Sequence, residues 1–253
     1  VGADLRGRCP WHEDSTPSLV VTPAGPKGWG LWHCMAGCGG GSAVDWIVRA
    51  QVATPDAGIS RGYSVLYSHY FRGRGWQPSY PETTGYLIQT LLEAARELNL
   101  PALADRACRA ADWEIAIQLP GGAVQGGVIG EGRSPAIFNT GQVMFCWQAA
   151  FELTGEARYA DALRRAGRYL VSAMDEGGNF RDGESDFARK DATLYNARVT
   201  WALAETGEAL GEPAFTEAAR RHLRMVTARQ HPNGWFPDCC LTDPHRPLLH
   251  TIA

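Results

Sequence analysis

The 253 residues are enough for one large or two smaller domains, and contents of 45% apolar and 20% charged residues are those of an ordinary globular protein. A net charge of −3 argues against a polybasic surface spread over the whole molecule, while leaving room for a local basic patch. No apolar run approaches the roughly 18 residues that a membrane span needs. The first residues carry no signal-peptide pattern, so the expectation is a cytoplasmic protein with no membrane partner.

The first 42 residues read as a metal site. Of the seven cysteines, Cys9, Cys34 and Cys38 fall early and close to a histidine, which in a reducing compartment favours metal over disulfides. Cys9 and His12 make a C-x2-H pair, and Cys34 and Cys38 a C-x3-C pair. Two β-like runs lie between them, Ser18 to Thr22 and Gly28 to His33, so a hairpin can bring the pairs together. Three sulfurs and one nitrogen in a closed tetrahedral site suit zinc. A segment of this size buries too little apolar surface to fold alone, so the ion would supply much of its folding free energy. The competing reading is four unrelated residues. Arg6, Arg8 and Lys27 offer charge to a nucleic-acid backbone, and Trp11 and Trp29 offer faces to bases. Trp32, next to the ligand pair, is expected in the small core, and His33 is expected to be structural.

The stretch Arg8-Cys9-Pro10-Trp11-His12, with Thr16-Pro17-Ser18-Leu19, Trp32-His33-Cys34 and Cys38-Gly39-Gly40-Gly41, resembles the N-terminal zinc-binding domain of DnaG-type primases. The resemblance covers residues 5 to about 50. It implies a zinc ribbon with Cys9, His12, Cys34 and Cys38 as ligands and single-stranded template DNA as partner. The carboxylate cluster with which primases polymerise is not found downstream.

From Ala43 to Gln51 a helix is expected, with Ser42 as N-cap and Val44, Ile47 and Val48 at helical spacing. Asp45-Trp46 followed by Gln51 mirrors Asp112-Trp113 followed by Gln118. This helix therefore closes the ribbon, or is the second helix of a truncated hairpin, or is both. A turn at Pro55 to Gly58 and a long loop, Ile59 to Ser79, follow.

Beyond it the chain repeats. Gly122, Gly178 and Gly234 stand 56 residues apart (178−122 and 234−178), as do Thr84, Thr140 and Asn196, and Trp113, Tyr169 and Met225. Each unit is a helical hairpin. The first helix, as in Val143 to Leu153, is apolar nearly all round, so it belongs inside. The second, as in Tyr159 to Ala173, is amphipathic and belongs outside. Phe215, Ala218, Ala219, Leu223 and Val226 repeat its inner face. The glycine turns that follow supply positive φ, and the aromatics after them are expected to plug the gaps between hairpins.

This region resembles the α/α-toroid, six-hairpin proteins, many of them glycan-active. The motifs are Tyr80-Pro81-Glu82-Thr83-Thr84-Gly85-Tyr86, Phe138-Asn139-Thr140-Gly141-Gln142, Tyr195-Asn196-Ala197-Arg198 and His250-Thr251-Ile252-Ala253. The expected fold is thus mainly α: an incomplete α/α toroid over residues 43–253 behind a small β zinc ribbon over residues 1–42. Six hairpins would need roughly 336 residues and about three and a half are present, so the chain reads as a fragment. The resemblance implies a glycan at the mouth of the ring, with Tyr80, Asn139, Tyr195, Asn196, Arg198 and His250 as contacts and Glu82 and Asp191 as a carboxyl pair. The competing reading of Thr83, Asn139 and Asn196 is helix capping. Cys239 and Cys240 are expected as free thiols, Cys108 and Cys146 as core, and His222 as a packed or surface residue.

Overall fold

A computed structural model describes residues 4–9, 12–23, 30–132, 134–181 and 194–240. Four strands, β1 (Leu5–Gly7), β2 (Leu19–Thr22), β3 (Leu31–Cys34) and β4 (Gly39–Ser42), form an antiparallel meander in chain order. The spacing of the sequence anticipated β2 and β3. It did not reveal β4, because glycine is a poor strand former. Here close approach demands it: a Cβ on Gly40 would lie 2.8 Å from the Trp32 carbonyl oxygen, and one on Gly41 2.7 Å from the Asp45 carboxylate.

The sheet runs straight into helix α1 (Ala43–Val52). Ser42 ends β4 and caps α1: its hydroxyl accepts from the Asp45 N–H, and the Asp45 carboxylate accepts from the Ser42 N–H at 2.6 Å. The joint is also packed. Trp32 of β3 meets Trp46 of α1 edge to face at 5.7 Å, and Trp46 meets Trp76 at 5.9 Å. Trp76 belongs to a hairpin, β5 (Tyr63–Ser68) and β6 (Gly73–Trp76), that occupies the stretch expected to be loop.

Among the described residues six α-helices follow in pairs: α2 (Pro81–Glu97) with α3 (Pro101–Ile117), α4 (Ile137–Thr154) with α5 (Ala157–Ser172), and α6 (Ala197–Leu210) with α7 (Pro213–Ala228). Helices α2, α4 and α6 pack side by side as an inner layer. Small residues at a 56-residue spacing let them approach: a Cβ on Gly85 would lie 3.2 Å from Val143, and one on Gly141 2.8 Å from Val199. Helix α4, flanked on both sides, is buried over most of its length, including Val143, Met144, Cys146, Trp147 and Ala150.

Helix α1 holds the position of an outer helix, as its likeness to α3 suggested. Gln51 donates to the carbonyls of Ala57 and Arg106, and Gln118, after α3, donates to those of Gly122 and Ala162. Arg106 and Ala162 are 56 residues apart, so the same side chain makes the same bridge one repeat later. The repeating glycines do more than turn. Gly122 (φ +92°) and Gly178 (φ +90°) pack on backbone of the next outer helix, where a Cβ would come 2.3 Å from the Arg165 oxygen and 2.8 Å from the Arg221 oxygen. Phe180, after the second of these turns, is fully buried against His222.

The capping reading is corrected for Thr83, Asn139 and Asn196. Helix α2 begins at Pro81 and α4 at Ile137, which makes Tyr80 and Ala136 the caps and places Thr83 and Asn139 inside the first turn. The repeated threonines clamp the preceding segment instead. Thr84 accepts from the Ile59 N–H and Thr140 from the Val124 N–H, each at 2.9 Å. Asn196 stands at the N-cap position of α6, fully buried, but its side chain makes no capping hydrogen bond. Leu223 is 42% exposed rather than inward. Among the described residues no helix is long and apolar enough to cross a membrane.

Candidate functional site

Two places concentrate chemistry. The first is the mouth of the sheet β1–β4. Cys9 follows β1, Cys34 ends β3, and Cys38 follows a turn in which Gly37 (φ +90°) donates to the Cys34 carbonyl, so the x3 spacing closes without strain. The ligand atoms of Cys9, His12, Cys34 and Cys38 all lie within 4.8 Å of one another. A tetrahedral ion with bonds of about 2.3 Å to sulfur sets its sulfurs about 3.8 Å apart, so the cluster has the right size for one metal ion. His12 turns Nδ1 inward, 3.0 Å from the Cys38 sulfur and 3.9 Å from that of Cys34. Its Nε2 faces Asp14 at 3.4 Å. A proton held on Nε2 by the carboxylate leaves the Nδ1 lone pair for a metal, the usual carboxylate–histidine arrangement.

Asp14 organises the centre. One carboxyl oxygen accepts from the Cys9 N–H (2.8 Å), the Ser18 N–H (2.9 Å) and the Ser18 hydroxyl (2.7 Å). The Ser18 hydroxyl first, and then the Cys9 amide, favour the carboxylate and hold its pKa down at about 2. The thiols are unequal. Burial opposes ionisation of Cys34, but bonds from the Cys38 amide and from Ser18 and Cys9 outweigh it and bring the thiol down to about 6. Burial, followed by Cys34 and Cys9, pushes Cys38 up to about 11. A divalent cation removes this conflict, since it favours the thiolate at every position. His33 points to the other side of β3, exposed and outside the cluster, and Trp32 is buried, as expected of both.

The second place is the end of the arc where the inner helices begin. Tyr80, the residue before α2, donates its hydroxyl to Glu82 at 2.5 Å, and its side chain also bonds to that of Asn139. Burial and then Glu82 push the phenol well above its ordinary value, so it remains a donor. Arg198, near the start of α6, donates to Gln142 of α4 at 3.1 Å and lies 5.6 Å from the ring of Tyr86 on α2. Tyr86, Gln142 and Arg198 are 56 residues apart, so one position of the repeat supplies a row across three helices. Trp201, 51% exposed, continues it, 5.6 Å from Arg198 and 4.8 Å from Phe145.

The structure sorts the expected residues. Tyr80, Glu82 and Arg198 are half-buried at the open end. Asn139, Tyr195 and Asn196 are buried, at 4%, 3% and 0% exposure. Asn139 spends its amide on the Gln125 carbonyl at 3.0 Å. Arg6 and Arg8 are exposed at β1. Trp11, Lys27, Trp29, Asp191 and His250 lie outside the described residues. Sequence reasoning missed Asp14, for which two ligand pairs gave no signal. It also missed the row of Tyr86 and Gln142, although their 56-residue spacing from Arg198 was there to be read.

No protein-family profile matches the chain. Over 81 residues it is 28% identical to a DNA primase of Streptomyces coelicolor, a match covering 31% of this chain and 12% of that protein. The fold is similar to a heparin-specific unsaturated glucuronyl hydrolase, with TM-score 0.57 and 18% identity over 77% of this chain and 48% of that one. It is also similar to a possible member of the GH105 family from Salmonella enterica, with TM-score 0.60 and 12% identity over 77% and 53%. The chain thus spans about half the length of the structures that it matches. At these identities the likeness establishes the fold: a mainly helical, α/α-toroid architecture with a small N-terminal β sheet.

Proposed function

We propose that the chain is part of a glycan-binding or glycan-processing α/α-toroid protein, residues 43–253, carrying a zinc-held ribbon, residues 1–42, as an accessory element. The observation that carries this reading is the open end of the inner layer, where Tyr80, Glu82, Tyr86 and Arg198 meet. It offers a carboxylate held by a phenol, a cation and aromatic faces, the mixture of charged groups, donors and stacking surface that polar ligands use. The likeness of the fold to glycan-active toroids supports it. Glu82 is the carboxylate we assign to the chemistry. Tyr80 orients it by hydrogen bond, and Asp191 is its proposed partner from the sequence pattern. The test is a panel of oligosaccharides assayed for binding and turnover. Glu82→Gln should abolish turnover with retained fold, and unchanged turnover in that variant would overturn the assignment.

The convergence of three thiols and an imidazole favours a second reading for the N-terminal part. There the ribbon is zinc-bound and of primase type, and it contacts single-stranded DNA through Arg6, Arg8, Trp11, Lys27 and Trp29. Its test is zinc analysis with a DNA titration: about one zinc per chain, lost in Cys34→Ser together with DNA binding. Zinc without DNA affinity in the ribbon would leave it a purely structural element.

A further inference from the structure

The hairpin between α1 and α2 is used by neither reading. From Ala57 to Pro81 the chain has no acidic residue, but it has Arg61, Arg72 and Arg74 and six aromatics, within a molecule of net charge −3. The strands do not pair evenly: Ser64 faces Gly75 and Ser68 faces Gly73, so Val65, Leu66 and Tyr67 crowd opposite Arg74 alone. Such a bulge re-aims side chains. It leaves Val65, Leu66 and Tyr67 at 40%, 77% and 58% exposure. Tyr70, 51% exposed, continues the surface beside Phe71, with ring centroids 4.7 Å apart. The Arg61 guanidinium stands 5.9 Å from the Tyr70 ring and 5.0 Å from that of Phe71. Arg74 has a carboxylate, Glu13, at 3.9 Å, but both side chains are exposed and such a pair is weak and easily exchanged.

An exposed aromatic and aliphatic surface set among cations marks an interaction site. We propose that the β5–β6 hairpin binds single-stranded nucleic acid, with Tyr67 and Tyr70 stacking on bases and Arg72 and Arg74 meeting phosphates. Charge complementarity selects this occupant. A segment with three arginines and no acidic residue of its own suits a polyanion, with the Glu13 carboxylate standing against it beside Arg74, and splayed bases offer flat faces to the tyrosines. A neutral sugar chain offers the arginines no charge to meet. The proposal does not depend on the glycan reading of the arc, and it places the contact outside the metal-bearing sheet.

The test uses the full chain and a fluorescent oligothymidylate of about 20 nucleotides, followed by anisotropy between about 50 and 200 mM salt. Affinity should fall linearly on a log–log salt plot. Arg72→Ala with Arg74→Ala should reduce the slope by about 1.4, that is about 0.7 for each phosphate of a single strand that is no longer neutralised. Tyr67→Ala with Tyr70→Ala should weaken binding about tenfold or more and leave the slope unchanged. All four side chains are at the surface, so circular dichroism should not change. No binding at low salt, binding unaltered in both double variants, or a dimer abolished by the tyrosine pair would each overturn the proposal.

Discussion

Glu114 offers the sharpest test of the packing logic. It lies in the last turn of α3, fully buried, and neither carboxyl oxygen has a hydrogen-bond partner. Leu170 and Val226 occupy the same position one and two repeats later, both buried and apolar. Burial, with Asp56 adding to it, pushes the acid well above the carboxylate range, so it is folded in neutral form. A raised folded-state value fixes the sign. The group's contribution is fully present below its unfolded value of about 4.3 and is lost as pH rises through the folded one, at about 1.4 kcal/mol per pH unit in between. Leaving a buried polar group unsatisfied costs about 1–3 kcal/mol in addition. Glu114→Leu should therefore stabilise the protein by about 1–3 kcal/mol at pH 5, with a gap that widens as pH rises. Glu114→Gln should remove the widening while keeping most of the desolvation cost. Urea unfolding of the three proteins at several pH values, followed by circular dichroism, reads both effects. A Leu variant less stable than the parent at every pH, with no pH-dependent difference, would show that Glu114 is ionised and paired, and the reasoning would fail.

Three further outcomes follow from the repeat and the metal centre. Gly122→Ala places a Cβ at positive φ against the Arg165 carbonyl and should cost at least about 2 kcal/mol, whereas Gly121→Ala, with nothing within 4 Å, should be near neutral by thermal melting. Thr140→Val keeps shape but strips the acceptor from the buried Val124 N–H, and should cost about 1–3 kcal/mol in denaturant unfolding. Asp14→Asn should lower zinc affinity about 10–100-fold in a chelator competition while leaving about one zinc bound at saturation, since it removes support and not a ligand.

The legible parts of the chain were those where one physical demand recurs. The 56-residue beat of Gly122 and Gly178 was visible because each turn needs positive φ and each packs on a carbonyl that no Cβ can approach. The C-x2-H and C-x3-C pairs were visible because metal ligation fixes both residue type and spacing. Helix α1 was readable in both its roles because Gln51 and Gln118 carry the same bridge. What stayed hidden depends on tertiary partners. Strand β4 consists of residues with no strand preference and exists because Trp32 and Asp45 lie against it. Thr83 and Asn139 resembled caps, since a polar side chain at a helix start has two uses and only the course of the preceding loop decides between them. It is the next residues, Thr84 and Thr140, that hold that loop. Asn139, buried, donates its amide to the Gln125 carbonyl and bonds to the Tyr80 side chain, partners that only the folded loop brings to it. The β5–β6 hairpin reads as loop in the sequence because its bulge breaks the alternation of a regular strand.

The central functional claim is that a saccharide binds at the starts of the inner helices. Isothermal titration calorimetry of the full chain against a glycan selected from the panel tests it most directly, with Arg198→Ala and Tyr86→Ala compared with Arg72→Ala on the hairpin. The account predicts that the first two lose binding by about tenfold or more and that the third binds like the parent. Binding unaffected by Arg198→Ala and Tyr86→Ala, or no glycan bound at all, would contradict it.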